Sequence, residues 1–253
     1  MLYRIENCLK RRDREQGYRL HIRRLRVPRG ARIAITGPSG CGKSTTLDLL
    51  GLALEPDAAE VFSFSPDGAP KDIGLLWRRR RHDAMAALRL RHMGYVLQTG
   101  ELLPFLSVAE NMTLTARMSG VPQEAALAAA HELARRLDME HLMRAMPGTL
   151  SVGERQRAAI VRALTPHPSL ILADEPTAAL DPLRAAGVMD AFLRAVDDQG
   201  ATLILVTHNA EWARGGGLSE LPFSLEKDSD GVTAVLDDGD AFAAPAAGES
   251  PPC

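Results

Sequence analysis

The run Gly37, Pro38, Ser39, Gly40, Cys41, Gly42, Lys43, Ser44, Thr45 directly follows the apolar stretch 31–36 and constrains this chain more than any other feature. A strand feeding such a turn, and then a helix from about Gly42, aims several backbone N–H groups at one spot, where anionic phosphate collects. Gly37, Gly40 and Gly42 let the backbone approach closely, Lys43 can reach β- and γ-phosphates, and the Ser44 hydroxyl can ligand Mg²⁺. Cys41 reads as a small spacer in the loop rather than a redox switch.

The chain has 253 residues, near the size at which single cores split, so one large or two small domains are expected. A formal net charge of −2 gives no global basic field, and no nucleic-acid partner is expected on that ground. No apolar run approaches the ~18 residues needed to span a bilayer, and charges interrupt the apolar start too early for a signal peptide. The expectation is a cytoplasmic chain. Cys8, Cys41 and Cys253 are too few and too scattered for a disulfide framework or a zinc site.

Alternation predicts strands over 18–27 and 31–36, separated by a turn, then a helix from Gly42 to about Gly51. Prolines and glycines mark 55–74 as loops around a short peripheral strand at 60–65. A helix follows the basic run 78–81, and then a strand over 93–97 ending at Gln98. Ser107, with Glu110 at capping-box spacing, opens one helix, and Pro122 opens another that runs to about Leu137. A helix over 152–164, a strand over 169–173, a helix over 181–196 and a strand over 202–206 restore the alternation of a parallel sheet. An alternating piece within 221–236, turning at Asp230-Gly231, reads as a hairpin closing the core. Alanine, proline, glycine and serine dominate 241–253 and predict a disordered tail.

A second phosphate-site element is the apolar strand 170–173 ending in Asp174 and Glu175. A buried strand can carry Asp174 to a Mg²⁺ shell while Glu175 faces a γ-phosphate and polarises an attacking water. Alone, such a strand end is more often a solvated turn. In order along the chain, GPSGCGKST, Gln98, LSVGERQR at 150–157, LILADEPTAALD at 170–181 and Thr207-His208 resemble the ATP-binding-cassette ATPases over residues 15–212. The wording at 93–98, 102–111 and 173–181 is most similar to the lipoprotein-release and macrolide-exporter branch.

The resemblance implies an α/β fold: a phosphate-loop NTPase (RecA-like) core, 1–98 and 155–240, with an antiparallel β part and an inserted α-helical subdomain at 99–154. It implies ATP and Mg²⁺ as ligands, with Ser44, Gln98 and Asp174 at the metal and Lys43, Glu175 and His208 at the reacting γ-phosphate. Ser151, Gly153 and Glu154 fall in the signature motif, which binds the γ-phosphate held by the opposite subunit of a nucleotide-sandwiched dimer. A serine and a glycine opening a helix would offer a hydroxyl, an N–H and a dipole to that phosphate. Gln98 would couple the helical subdomain to a membrane partner, and Asp181 would communicate between subunits.

The chain departs from the family at two positions of the signature, at the adenine-stacking position and in the glycine run Gly215 to Gly217. Val152 replaces the first glycine of the signature and Glu154 its glutamine, which predicts altered, slower hydrolysis. The expected adenine-stacking aromatic is missing near Arg14, leaving Tyr18, or an arginine, to serve. The run Arg78 to Arg81 reads as a solvated face or a contact to a partner's cytoplasmic loops, in preference to nucleic acid or anionic lipid. The expected protein is an ATP-hydrolysing subunit, a homodimer or a dimer with a similar ATPase. It would act on a separate integral membrane permease and sit on the inner face of the membrane through it. A non-transport cassette ATPase and an ATP sensor with little turnover are the competing readings.

Overall fold

The computed structural model describes residues 1–11, 18–178, 180–208, 216–228, 231–239 and 242. Five parallel strands form one sheet, in the order β6 (Met93–Val96), β7 (Leu170–Asp174), β8 (Thr202–Thr207), β3 (Arg32–Thr36) and β9 (Ser219–Pro222). Six form a second: β10 (Ser224–Asp228), β11 (Gly231–Asp237), β2 (Tyr18–Val27), β1 (Tyr3–Arg11), β4 (Val61–Phe64) and β5 (Lys71–Asp72). All its pairs are antiparallel except β11 with β2. The helices are α1 (Lys43–Leu50), α2 (Ile73–Arg78), α3 (His82–His92), α4 (Val108–Met118), α5 (Gln123–Arg136), α6 (Val152–Leu164) and α7 (Pro182–Asp198).

The parallel sheet is apolar on both faces, as strands covered on both sides must be. Ile33, Ile35, Leu170, Leu172, Ile204 and Val206 point into a core shared with the antiparallel sheet. The alternate residues Ala34, Ile171, Ala173, Leu203 and Leu205 point into a second core, closed by side chains of α4 to α7. Between β6 and β7 the chain forms α4 and α5, which pack with α6 as a helical group. The proposed division at 154/155 cuts α6, one continuous helix that spans both regions.

Several elements escape the sequence patterns. In β1 the inward positions run Tyr3, Ile5 and then Cys8, because Asn7 takes a left-handed φ of 48°. The inward face of β2 slips at the same level, from Leu20 and Ile22 to Leu25 and Val27. The period-2 signal of β1 is therefore broken in its middle. The short β5, α2 and β9 are too brief to carry periodicity; α2 is fixed instead by the Asp72 carboxylate accepting from Leu75 N–H at 2.8 Å. Strands β10 and β11 form the hairpin expected in 221–236, though its turn residue Asp230 lies outside the described residues. Apart from Phe242, which packs against the core between the sheets, the tail 241–253 also lies outside them.

Helix α6 begins with a reciprocal cap. The Ser151 backbone N–H and hydroxyl donate to Glu154 Oε2 at 2.7 and 2.8 Å, and the Glu154 N–H returns a bond to Ser151 Oγ at 3.3 Å. The Ser151 N–H, and after it the hydroxyl, hold the Glu154 carboxyl below the usual glutamate range. Such a carboxyl stabilises the fold above its unfolded pKa, about 4.3, and loses that contribution as pH falls through the lower folded value. Glu154→Ala is therefore expected to melt below the parent at neutral pH, with the gap closing as the pH falls under about 4. Thermal scans across pH would read this directly.

Close packing makes a second prediction. A Cβ on Gly94 of β6 would collide with the Ala163 carbonyl of α6 and lie 2.8 Å from Ile171 Cδ1. Gly94→Ala should cost about 1–3 kcal/mol, seen as a lower denaturant midpoint. A Cβ on Gly187 within α7 meets nothing within 4 Å, so Gly187→Ala should gain about 1 kcal/mol.

Candidate nucleotide-binding site

Strand β3, buried from Ile33 to Thr36, delivers the chain into the glycine-rich loop. Gly37 has no room for a side chain: a Cβ there would lie 2.9 Å from Cys41 Sγ and 3.1 Å from Phe223 Cβ. Gly40 and Gly42 take left-handed φ values of 80° and 99°, which a side chain resists. Gly42 is the N-cap of α1 and no side chain caps that helix, so its first-turn N–H groups are open to an anion. Pro38, Ser39 and Gly40 are exposed at the tip, Cys41 is buried beneath it, and Thr45 is half-buried in α1. The Lys43 ammonium donates to the Gly37 and Pro38 carbonyls at 2.9 and 3.0 Å, and so is held over the loop.

Register in the parallel sheet brings the second element alongside. Asp174 ends β7 opposite Val206 of β8, and the Glu175 N–H donates to the Val206 carbonyl at 2.9 Å. The Ser44 hydroxyl lies beside the Asp174 carboxyl, close enough to lower its pKa, so the two oxygen donors expected at a metal are already adjacent. Burial raises the Asp174 pKa; the Ser44 hydroxyl opposes this, the neighbouring Glu175 charge adds to it, and Lys43 again opposes it. One hydroxyl and one carboxylate suit Mg²⁺, which binds through few protein oxygens and keeps places for phosphate and water.

Glu175 has a left-handed φ of 44°, which turns its side chain out of the strand direction. Its Oε1 lies 2.8 Å from Nδ1 of His208, just past the end of β8. That carboxylate makes no other hydrogen bond among the described residues, leaving its second oxygen for a water molecule. Lys43, Ser44, Asp174, Glu175 and His208, from three parts of the sequence, are thus gathered at the carboxyl ends of β3, β7 and β8.

The remaining candidates lie elsewhere. Strand β6 stops at Val96, earlier than the sequence predicts, and Gln98 is exposed in the following turn, with no hydrogen bond to Ser44 or Asp174 among the described residues. Ser151, Gly153, Glu154 and Asp181 line a separate cleft that contains no phosphate-loop residue. Tyr18 is half-buried at the start of β2, on the same face as Leu20, whose side chain lies 3.6 Å from a Cβ placed on Gly42.

Two contacts at the site are invisible to motif reading. Gln156 of α6 is fully buried and donates to the Leu97 carbonyl at 2.9 Å, tying the turn that holds Gln98 to the helix that starts at the signature. Its spacing to the buried Ile160 and Ala163 places it on the inward face of α6, a signal that a polar residue there has a partner. Leu180 packs so tightly on Gly153 that a Cβ there would sit 2.7 Å from Leu180 Cδ2. A side chain at 153 would have to displace the tip of Leu180.

The family described as ABC transporter matches residues 20–178. The chain is 42% identical over 189 residues to a lipoprotein-releasing system ATP-binding protein, LolD, of Paramagnetospirillum magneticum, covering 75% of this chain and 80% of that one. It is 37% identical over 194 residues to the ABC transporter ATP-binding protein YknY of Bacillus subtilis, covering 77% and 80%. Among solved structures it is similar to the dimeric, post-hydrolysis state of the ATP-binding cassette MJ0796 bound to ADP and Pi, at 28% identity and a TM-score of 0.74 over 92% of this chain and 96% of that one. A second dimeric structure of that cassette matches at 27% identity and a TM-score of 0.73, covering 94% and 95%. With the motifs in register on the fold and this match along most of its length, the chain belongs to the ABC transporter family.

Proposed function

We propose that this chain binds and hydrolyses ATP as the ATPase subunit of an ABC transporter. It closes as a dimer on two ATP molecules and drives a separate membrane permease. The observation that carries this reading is the assembly of Lys43, Ser44, Asp174 and the Glu175–His208 pair at one sheet edge. The open N–H groups of α1 and the Lys43 ammonium would bind the phosphates. Ser44 and Asp174 would hold Mg²⁺, with Gln98 joining when its turn swings in. The metal would neutralise charge on the phosphate oxygens. Tyr18, on the loop-facing side of β2, is the aromatic available to the adenine.

In hydrolysis a water oxygen attacks the γ-phosphorus, the bond to the bridging oxygen breaks, and ADP leaves. Glu175 accepts the water proton, and His208, bonded to one carboxylate oxygen, orients the other and contacts the γ-phosphate. Ser151 and Gly153 lie in a cleft of their own, so a phosphate they bind would belong to a second subunit. Asp181, in the same cleft, and Leu180, packed on Gly153, would pass closure between subunits.

A groove of about 520 Å³, lined by Ala86, Leu90, Met93, Leu97, Leu103 and Met118, opens next to Gln98. Its apolar lining supports it as the seat of a permease's cytoplasmic segment, and through Leu97 and Gln156 it is joined to the signature helix. No helix among the described residues is long and apolar enough to cross a membrane, so a membrane position at the inner face would come through that permease.

Glu175→Gln is expected to keep ATP affinity, lower turnover by about 10²–10⁴-fold and accumulate an ATP-bound dimer on size exclusion. Parent-level hydrolysis in that variant would remove Glu175 from the mechanism. Because the Ser151 hydroxyl must leave Glu154 to reach a phosphate, Val152→Gly/Glu154→Gln should raise turnover several-fold, about the difference between a charged and a neutral hydrogen bond. Equal rates across ATP concentrations would show that the two departures do not slow the enzyme. ATP binding without turnover in the parent, with or without permease, would favour the sensor reading.

A further inference from the structure

Arg78, Arg79, Arg80 and Arg81 are all exposed at the junction of α2 and α3. None of the four side chains makes a hydrogen bond or ion pair among the described residues. Arginines elsewhere on the surface do: Arg23 meets Glu226 at 2.7 Å, and Arg136 meets Glu132 and Asp198 at 2.6 Å. The nearby Asp72 carboxylate is occupied in capping α2, and Asp83 is the acid in the first turn of α3. The negative end of α2 accounts for one cation in its last turn, Arg78, and leaves three to explain.

The backbone at this corner is a helix-terminating motif that normally takes glycine. The Arg81 N–H reaches back to the Leu76 carbonyl at 2.9 Å and the Arg80 N–H to the Trp77 carbonyl at 2.8 Å. Arg80 occupies the left-handed position of that motif with a φ of 52°. An arginine is thus kept where glycine would fit without strain. The corner is also fixed from below: Trp77 is 9% exposed, and its ring meets that of His82 edge-on at 5.7 Å. The result is a rigid knuckle that fans four guanidinium groups into solvent, each able to fork onto phosphate oxygens.

Its position selects the phosphate. Helix α3 continues from the knuckle, and its Ala86 and Leu90 line the apolar groove beside Gln98. At 1.5 Å per residue, Arg81 lies about 8 Å along the helix from Ala86, within roughly one Debye length of the groove at physiological salt. A permease segment seated in that groove places the bilayer surface on this side of the molecule. The chain's net charge of −2 offers no general attraction to an anionic leaflet, so any such attraction must be local. Trp77 is buried and cannot stack on bases, which disfavours single-stranded nucleic acid.

We infer that the Arg78–Arg81 knuckle binds the phosphates of anionic phospholipid headgroups at the membrane surface flanking the permease. The inference rests on the groove being the permease seat. It adds a second attachment that makes assembly of this subunit sensitive to lipid charge.

The test is co-sedimentation of the purified chain with vesicles of phosphatidylcholine mixed with phosphatidylglycerol, against phosphatidylcholine alone. The parent should pellet with the anionic vesicles and be released by salt. Replacing all four arginines with glutamine should lower partitioning about 10²–10³-fold, and Arg80→Gly, which suits the turn, about fivefold. Unchanged hydrolysis of ATP in solution would show that these variants are folded. Equal pelleting with neutral vesicles, or no loss in the four-residue variant, would overturn the proposal. So would tighter binding of the parent to duplex DNA than to anionic vesicles. Loss of permease capture by the four-residue variant in lipid-free detergent would reassign the knuckle to the permease's own loops. A parent that pellets with anionic vesicles but captures no permease would leave the lipid site standing and remove the transporter reading.

Discussion

Burial of the parallel sheet on both faces is the constraint from which the site follows. Strands β3, β7 and β8 alternate their side chains between two cores, so a slip of one residue would exchange rows fitted to different neighbours and drive Ile33 or Ile35 into the space that Ala34 fills. With the strands locked in register, their carboxyl ends share one edge. The loop after β3, the carboxylates after β7 and the histidine after β8 must then meet. The approaches of Ser44 to Asp174 and of Glu175 to His208 are local consequences of that register, while the Lys43 bonds to the Gly37 and Pro38 carbonyls are internal to the loop.

The sheet edge that carries the phosphate loop and the segment 150–154 are joined through packed side chains. Helix α6 starts at the signature, and its buried Gln156 grips the turn that carries Gln98. That turn leads from β6, which pairs with β7, the strand bearing Asp174. At the other side of this segment, Gly153 packs directly on the side chain of Leu180, which precedes Asp181. The helical group is therefore tied toward the sheet edge at two places, once by a buried polar side chain and once by a tight apolar contact. Both ties pass through residues whose substitution would disturb packing before it disturbed chemistry.

The departures at the signature acquire a different meaning in the fold. Glu154 is not a bare charge aimed at a phosphate; its carboxylate is spent on the N-cap of α6, where it holds both the N–H and the hydroxyl of Ser151. Val152 is 48% exposed and presents a branched side chain at the mouth of the cleft. Any effect of Glu154 on turnover would therefore run through the Ser151 hydroxyl that it holds rather than through direct repulsion of the nucleotide.

The sequence by itself determined the phosphate loop, the Asp174-Glu175 strand end, the cap at Ser107 and the limits of α6, because each is written in residue types at fixed local spacing. It could not show β1, whose alternation breaks at Asn7, nor β9, which exists only because β3 offers it an edge. It placed Gln98 at a strand end, and only the tertiary structure put it in an exposed turn and set Ser151 in a cleft apart from the phosphate loop of its own chain. Gln156 and Leu180 carry no motif of their own, since their roles depend on what lies opposite them across the packed core. Local chemistry is encoded within a few residues of chain, whereas pairing, enclosure and the distance between half-sites are settled by burial of the whole sheet.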